Sequence, residues 1–276
     1  LLITGWGIGL YEMNTSSLQL KNLFAPKVEE RLSKWGNIKG MGLDSDQNVW
    51  LATHDYEGLV VFNIPQQKFY DNRSPGTLDP ELLNSRYAVS MFEDSRKRIW
   101  IISYVGLVMY DGSFHYFQSE KNDTTTLSAN YLYTLFEDSK GNIWIGGVDG
   151  LDRLVESGDS VVFERLSNKY GIPINIKGIL EDQEGNLWLS SNQGISTFNP
   201  ELKQVKHIFG SKELREFEFI ERSCINTMNG DMYFGGTNGF VRFNPATLSR
   251  VEAPYSLYLV DFKIFNESQT VNENGS

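Results

Sequence analysis

YTLFEDSKGNIWIGGVDGLDRL, residues 133–154, is the stretch of sequence that decides the fold. YTLF alternates in character and leads to the pair Glu137 and Asp138, after which SKGN supplies the Gly and Asn that a tight reversal needs. IWIGG is β-branched and aromatic, VDG turns the chain again, and LDRL makes a third short strand. Downstream, VVFERL is a fourth strand. The stretch therefore predicts an antiparallel meander with no room for a helix.

The same pattern returns along the chain at a nearly fixed spacing. Its Trp stands at positions 50, 100, 144 and 188, while Leu1 and Tyr233 take that place in two altered copies. Four short strands per unit, at a period of about 40 to 50 residues, are typical of a β-propeller. We therefore predict an all-β fold, a propeller of four-stranded blades, with about five and a half blades present of an expected seven.

The repeat also predicts the domain organisation. The predicted blades are residues 1–37 (partial), 38–86, 87–131, 132–175, 176–219 and 220–252. After these blades the repeat stops, and APYSLYLVDFKIFNES shows alternating apolarity in a different setting. We predict that residues 253–276 contain the first strand of a C-terminal β-sandwich or a strand that closes the ring, followed by a frayed tail.

Composition limits the class of protein and of partner. The chain has 276 residues, 40% of them hydrophobic, which is typical of a globular protein. Its formal net charge is −10 and no basic stripe offsets it, so we expect no nucleic acid partner. The only cysteine, Cys224, cannot form an internal disulfide, and its strand-like context predicts a buried, inert thiol.

The loops of a propeller of this type divide between its two faces. Hairpins such as SKGN join the first strand of a blade to the second and emerge on one face, which we call the hairpin face. The short Gly turns between the second and third strands, and the dissimilar links between blades, emerge on the other, which we call the connector face. Variable loops on a repeated frame are where binding groups are usually placed.

The connector face is therefore the predicted binding face. Flat aromatic rings interspersed with Arg, Asn and Asp suit a sugar, and a bidentate Arg suits an acidic sugar or another carboxylate. The alternative for each aromatic residue is a structural one, because Tyr and Trp at strand starts commonly wedge neighbouring blades. The candidate ligand-binding residues are Trp35, His54, Tyr56, Arg86, Tyr87, Tyr104, Tyr131, Asp149, Asn192, Arg222 and Asn238.

Other kinds of site are disfavoured by the pattern. The Glu-Asp pairs at 93–94, 137–138 and 181–182 suggest paired-carboxylate hydrolysis, but each recurs at the mouth of the same hairpin, and neighbours in a strand point to opposite sides. We expect the Asp to accept backbone N–H bonds of the turn. Three histidines in different blades predict no metal site. We identify no catalytic set and expect no cofactor.

EDSKGNIWIGGVDGLDRL, EDQEGNLWLSSNQGISTF and FEDSRKRIWIISYVGLVMY resemble the repeat of the two-component regulator propellers. These propellers form the periplasmic sensor region of hybrid histidine kinase/response regulators in Bacteroides-type bacteria. The resemblance covers the second to sixth units well and the first in part. APYSLYLVDFKIFN further resembles the opening of the β-sandwich that follows the propeller in that family.

The resemblance implies a receptor with two consecutive propellers, the sandwich, a membrane helix and a cytoplasmic kinase. The resemblance also implies an oligosaccharide ligand and a location in the periplasm. It further implies contacts with the neighbouring propeller and sandwich of the same full-length chain, and a homodimeric receptor. The kinase and the membrane span are absent from this chain. Family ligand residues have no fixed motif, so none is carried over to a position here.

Three hypotheses on function remain open at this point. The first is a ligand-sensing module whose connector face captures a glycan fragment and signals to a kinase outside this chain. The second is an enzyme, such as a propeller lyase or glycosidase, which convergent carboxylates or a metal on the connector face would favour. The third is a scaffold for protein interactions, which a flat, apolar connector face would favour.

Overall fold

The computed structural model describes residues 2–5, 9–14, 16–23, 38–53, 58–71, 88–158, 160–210, 217–248, 262–264 and 267–269. Almost all of the regular structure in these residues is β-strand; the exceptions are the helical turn α1 (Ser167–Tyr170) and a 3-10 turn at Pro245–Thr247. No helix in the described ranges is long and apolar enough to span a bilayer. The chain divides into two compact units, Leu1–Pro245 and Ala246–Ser276.

The first unit consists of six antiparallel sheets, each made of strands consecutive in sequence. Blades 2 to 5 have four strands each, and blades 1 and 6 have three strands each in the described residues. In chain order the strands are β1 (Leu2–Gly5), β2 (Gly9–Met13) and β3 (Leu20–Asn22); β4 (Ile38–Leu43), β5 (Asn48–Thr53), β6 (Leu59–Asn63) and β7 (Lys68–Tyr70); β8 (Ala88–Glu93), β9 (Ile99–Ser103), β10 (Gly106–Tyr110) and β11 (Phe114–Phe117); β12 (Leu132–Glu137), β13 (Ile143–Gly147), β14 (Gly150–Ser157) and β15 (Ser160–Arg165); β16 (Gly178–Glu181), β17 (Leu187–Ser191), β18 (Gly194–Asn199) and β19 (Gln204–Gly210); and β20 (Phe219–Asn226), β21 (Met232–Gly236) and β22 (Gly239–Phe243).

The blades are arranged around a common axis. The first strands of neighbouring blades lie next to one another, β4 beside β8, β12 beside β16 and β16 beside β20, while later strands lie further out. This arrangement confirms the predicted all-β propeller. The predicted count of five and a half blades is slightly wrong: the described residues form six sheets, because the first unit pairs three strands, with Met13 opposite Leu20 in the outermost pair.

The hairpin between the first two strands of each blade is built on its Asp. Asp138 Oδ1 accepts the backbone N–H groups of Lys140 at 3.0 Å and Asn142 at 2.8 Å, and its Oδ2 accepts the indole N–H of Trp144 at 2.9 Å. A buried carboxylate needs such donors, since an unpaired one is costly. The predicted role of the Asp is confirmed. The same three bonds recur at Asp44, Asp94 and Asp182.

The Glu of each Glu-Asp pair has a different role, which the sequence did not predict. Glu137 of blade 4 accepts the backbone N–H of Ser95 at 2.8 Å and its hydroxyl at 2.6 Å, and Ser95 belongs to the hairpin of blade 3. Glu181 holds Ser139 of blade 4 in the same way. The pair therefore acts both within a blade and between blades. Its Asp closes its own hairpin, and its Glu bonds to the hairpin of the preceding blade.

Apolar residues of one blade pack against the next blade. Trp144 and Leu151 of blade 4, both at most 1% exposed, form one core with Ile179, Leu189 and Phe198 of blade 5. The repeated Trp of blade 4 therefore packs between two blades. Blade 6 differs, because Phe240, which stands where blade 4 has Leu151, is 65% exposed. The face of blade 6 that corresponds to the packed face of the other blades is thus bare at this position.

In the second unit the described residues form one hairpin, β23 (Phe262–Ile264) and β24 (Glu267–Gln269), with Phe262 opposite Gln269. The predicted boundary between residues 252 and 253 lies outside the described residues and stays a prediction. Whether this segment opens a β-sandwich likewise stays a prediction.

Candidate functional site

The first strands of blades 2 to 6 enclose a central channel. The cavity between them has a volume of about 480 Å³, and its lining comes chiefly from β4, β8, β12, β16 and β20. Cys224 on β20 is one of the lining residues. Burial raises the pKa of its thiol to about 11, and the Sγ–H donates to the carbonyl of Ile179 at 3.8 Å. The thiol is therefore protonated at neutral pH, as the prediction of an inert cysteine requires.

One position of the repeat lies near the start of the first strand in every blade from 2 to 6. Lys39 and Arg222 at this position line the channel, whereas Val89 is buried in the core. The position lies five residues before the hairpin Asp, or before Thr227 in blade 6, and is occupied by Lys39, Val89, Tyr133, Lys177 and Arg222. In four of these blades the pairing of the first two strands shifts register at this point, which is a β-bulge. A bulge redirects a side chain that a regular strand would place on a sheet face.

Arg222 is the member that crosses the channel. Its φ is +58°, a left-handed backbone conformation that non-glycine residues rarely adopt. Its backbone N–H donates to the carbonyl of Lys177 at 2.8 Å, and its guanidinium donates to the carbonyls of Tyr133 at 2.8 Å and Lys39 at 3.4 Å. One residue of blade 6 thus contacts blades 5, 4 and 2. Burial lowers the pKa of Arg222, although Glu221 counteracts it.

Three tyrosines form an aromatic surface beside this Arg. The rings of Tyr104 and Tyr131 are stacked with centroids 5.1 Å apart, and Tyr131 meets Tyr133 edge to face at 5.5 Å. Tyr131 is 43% exposed, whereas Tyr133 is buried. Burial raises the pKa of Tyr131, with Tyr104 and Glu221 nearby adding to the rise, so the phenol is neutral at physiological pH. Tyr131 is therefore the accessible ring of the group.

Cations lie over these rings. Lys39 Nζ is 4.5 Å from the centroid of Tyr104, and Lys177 Nζ is 4.1 Å from the centroid of Tyr133, both within cation–π distance. Lys177 also pairs with Glu221 at 3.1 Å. We call these residues the mouth cluster: Lys39, Tyr104, Tyr131, Tyr133, Lys177, Glu221 and Arg222. Among the described residues this cluster holds three cations and one carboxylate, in a chain whose net charge is −10.

The structure brings together three of the predicted ligand-binding residues. Tyr104, Tyr131 and Arg222 all belong to the mouth cluster, where the aromatic rings and the Arg are adjacent, as the sugar interpretation requires. Asp149, Asn192 and Asn238 lie in the equivalent turns between the second and third strands of blades 4, 5 and 6. Five predicted residues lie outside the described residues: Trp35, His54, Tyr56, Arg86 and Tyr87.

The sequence prediction missed four members of the mouth cluster, Lys39, Tyr133, Lys177 and Glu221. The first three occupy the repeat position that Arg222 takes in blade 6, so aligning the blades on their first hairpins would have placed all four residues in one column. Nothing in the alternation of β12 predicts the bulge itself. A strict two-residue period would assign Tyr133 to a sheet face rather than to the channel mouth.

Asp149 instead lies at a second cavity on the connector face of blade 4. This cavity has a volume of about 290 Å³ and is lined by residues of blade 4 and of the links on either side of it, including Ser128, Asp152, Arg165 and Asn168. Asp152 is 1% exposed, and burial raises its pKa to about 6. The carboxyl group is therefore in an environment unlike that of any hairpin Asp.

The histidines that the structure describes are bound within their own blades. His115 on β11 contacts Asp111 and Ser113, and His207 on β19 contacts Ser196. In the part of the chain that the structure describes, no group of three or more His, Cys, Asp and Glu side chains is arranged to hold a metal ion.

Comparison with known proteins places the repeat in a family. The family model described as two-component regulator propeller matches residues 126–149, which contain most of the hairpin and Trp strand of blade 4. Over 269 residues the chain is 29% identical to histidine kinase P4 of Formosa agariphila, covering 94% of this chain and 19% of that protein. The chain thus spans about a fifth of this relative.

Solved structures with a similar fold come from proteins of different kinds. The extracellular domain of a protein described as a hybrid two-component system of B. thetaiotaomicron matches 99% of this chain and 42% of its own, with a TM-score of 0.50 and 20% identity. PorZ, a surface component of the type-IX secretion system of Porphyromonas gingivalis, matches 88% of this chain and 37% of its own, with a TM-score of 0.61 and 13% identity. Virginiamycin B lyase of Staphylococcus aureus matches 75% of this chain and 69% of its own, with a TM-score of 0.50 and 15% identity.

At these identities the structural likeness shows the fold alone. The family model adds evidence from the sequence itself, because it matches a regular copy of the repeat in blade 4. The resemblance inferred from the sequence is thus confirmed: residues 126–149 match the repeat of the two-component regulator propellers.

Proposed function

We propose that this chain is the ligand-sensing propeller of a hybrid two-component receptor and that its mouth cluster binds an oligosaccharide that carries a carboxylate. The observation that supports the proposal is the position of Tyr131, an exposed ring stacked on Tyr104 next to the guanidinium of Arg222. An aromatic surface suits the C–H face of a sugar ring, and clustered cations suit an acid group.

The charge of the mouth cluster favours an acidic sugar over a neutral one. Lys39, Lys177 and Arg222 converge from blades 2, 5 and 6, and Glu221 is the carboxylate among them. An anion at this place gains attraction from charges that the channel walls partly shield from water. A neutral oligosaccharide would stack on Tyr131 equally well and could accept hydrogen bonds from the lysines, but it would lack the ionic attraction that a carboxylate gains.

The same contacts suggest how binding is passed on. Arg222 links blade 6 to blades 4 and 2, so a ligand that draws on this guanidinium acts on three blades at once. Signalling requires the ligand to favour one of two arrangements of the receptor, since equal affinity for both shifts nothing. The kinase lies outside this chain. We place the propeller in the periplasm, next to a second propeller and a sandwich domain of a homodimeric receptor.

Calorimetry of the full ectodomain that contains this chain tests the proposal. Oligogalacturonides and, separately, neutral gluco-oligosaccharides of the same length are titrated into three proteins. These are the wild type, Tyr131→Ala and, as control, Tyr116→Ala. Tyr116 is a tyrosine of β11 that is 69% exposed and outside the mouth cluster. Tyr131→Ala should weaken binding about tenfold, which corresponds to losing ~1.4 kcal/mol of stacking. Tyr116→Ala should leave it unchanged.

Two results would contradict the proposal. Equal affinity for the acidic and the neutral series would show that the cations do not select the ligand. No heat with either series would show that the chain does not bind these oligosaccharides. Turnover of a bound oligosaccharide, followed by chromatography of the calorimeter contents, would instead favour the lyase or glycosidase hypothesis. A scaffold function predicts neither heat nor turnover.

A further inference from the structure

The cavity beside Asp152 contains an unusual polar group. Asp152 lies on β14, opposite Arg165 on β15, and is 1% exposed. Its Oδ2 accepts the backbone N–H of Ser128 at 2.8 Å and the Ser128 hydroxyl lies near the carboxyl, but no donor among the described residues meets Oδ1 with hydrogen-bond geometry. A buried carboxylate oxygen without a donor is costly, and native structures rarely leave one so. The cavity is where a donor can come from.

Arg165 does not supply that donor. Its guanidinium is taken up by backbone carbonyls of the link before blade 4, with Nε 2.9 Å from Thr126 O and Nη2 2.7 Å from Asp123 O and 2.8 Å from Leu127 O. Arg165 therefore holds this link in place. Its charge remains beside the cavity, and it lowers the cost of ionising Asp152 without bonding to Oδ1.

The other groups around the cavity match a hydroxyl-rich ligand. Asp149 offers further acceptors, Asn168 on α1 offers an amide donor, and Ile174 is 46% exposed and supplies an apolar surface. Arg165 would repel a cationic ligand, while Asp149 and Asp152 would repel an anionic one. Hydrogen-bond matching rather than charge therefore selects the ligand. At about 290 Å³ the cavity is near the lower limit of small-molecule sites, which span ~300–1,000 Å³.

We propose that the Asp152 cavity is a second binding site, separate from the mouth cluster, that takes a neutral sugar ring of monosaccharide size. Oδ1 of Asp152 accepts a hydrogen bond from one ligand hydroxyl. Asp149 and Asn168 contact the neighbouring hydroxyls, and the C–H face of the ring lies against Ile174. This site differs from the mouth cluster in the class of ligand, since it excludes the carboxylated sugars that the mouth cluster selects.

Saturation-transfer NMR with the full ectodomain tests this proposal. The probes are glucose, galactose, mannose, xylose and arabinose at millimolar concentration, with galacturonate and glucosamine as charged counterparts. We expect saturation of at least one neutral sugar in wild type. Asp152→Asn, which replaces the acceptor by a similarly shaped amide, should reduce that signal at least several-fold. Asp111→Asn, at an exposed Asp of blade 3, should leave it intact.

A second variant covers the case in which Asp152→Asn fails to fold. Asn168→Trp changes an exposed residue at the cavity and should block ligand entry without touching the buried carboxylate. Asn168→Trp is also made in a Tyr131→Ala background, which removes stacking of neutral sugars at the mouth cluster. A signal from any neutral sugar that survives in this double variant would overturn the proposal. So would saturation of glucosamine or galacturonate alone, or of no sugar at all, which would leave the cavity to water. If Tyr131→Ala loses the galacturonate signal but keeps the neutral-sugar signal, only the mouth cluster is affected. The two proposed sites can therefore be refuted separately.

Discussion

Nη1 of Arg222 in blade 6 donates a hydrogen bond to the carbonyl oxygen of Tyr133 in blade 4, at 2.8 Å. The two residues occupy the same position of the repeat, and the bond passes across the channel rather than along the ring. Blade 6, the most divergent copy, is therefore fixed at its first strand by a side chain that no other blade has at this position. This guanidinium therefore belongs to the proposed binding site and also holds blade 6 to blade 4.

Arg222→Ala should lower the free energy of unfolding by about 2–3 kcal/mol, because it leaves buried carbonyls of Tyr133 and Lys39 without a charged donor. Urea unfolding followed by Trp fluorescence measures the change. Arg242→Ala is the matched control in the same blade: Arg242 pairs with Asp231 but its side chain is 58% exposed, so its loss should be within ~1 kcal/mol. Equal losses of unfolding free energy in the two variants would show that the bond across the channel contributes no more than an exposed ion pair.

Asp138→Ala and Glu137→Ala should separate the two roles of the Glu-Asp pair. Asp138→Ala leaves two backbone N–H groups and the indole of Trp144 without an acceptor and should cost about 3 kcal/mol or more. Glu137→Ala removes only the tie to Ser95 and should cost about 1 kcal/mol. Equilibrium unfolding of both variants gives the comparison. A larger loss for Glu137→Ala would mean that the tie between blades outweighs the hairpin.

Asp152 should make the folded state less stable as the pH rises through its titration range. Its folded pKa is raised by burial to about 6, from a usual value of 3.8. Between these values the folded state holds more protons than the unfolded state, so its stability falls with rising pH. Relative to wild type, Asp152→Asn should gain about 1 kcal/mol more at pH 8 than at pH 5. A constant difference across this range, measured by urea unfolding, would contradict the assigned environment.

Leu151→Ala and Phe240→Ala compare one repeat position in two blades. Leu151 is 1% exposed and packs against blade 5, so its truncation should cost about 2–5 kcal/mol. Phe240 is 65% exposed, and Phe240→Ala should change stability by less than ~1 kcal/mol although it removes more atoms. A large loss at Phe240 in this chain would show that blade 6 is covered there.

The fold was predictable because its signals are local and repeated. The spacing from Asp138 to Trp144 encodes a hairpin whose carboxylate binds the indole, and four copies of that unit leave little choice but stacked blades. The blade count was harder to predict, since the first unit lacks the Asp and the Trp on which the period is measured. The helical turn α1 also went unpredicted, because SNKY carries no periodic apolar pattern.

The candidate site was only partly predictable. Tyr104, Tyr131 and Arg222 were found because aromatic and Arg residues on one face are recognisable by type. Tyr133 was not found, because its place at the channel depends on a bulge that alternation does not encode. Lys177 was not found, because it precedes the first strand of blade 5 and belongs to no alternating pattern. The environment of Asp152 depends on the link carrying Ser128, whose backbone N–H bonds to Oδ2 from 24 residues away in the chain. No local pattern reports such a contact.

The most direct test of the central claim, that the mouth cluster captures an acidic oligosaccharide, is a crystal structure of the full ectodomain with an oligogalacturonide bound. The account predicts one uronate ring over Tyr131 and its carboxylate within hydrogen-bond distance of Lys39, Lys177 or Arg222. Ligand density on the hairpin face, or at the connector face with no contact to Tyr131 and none of these cations, would contradict it.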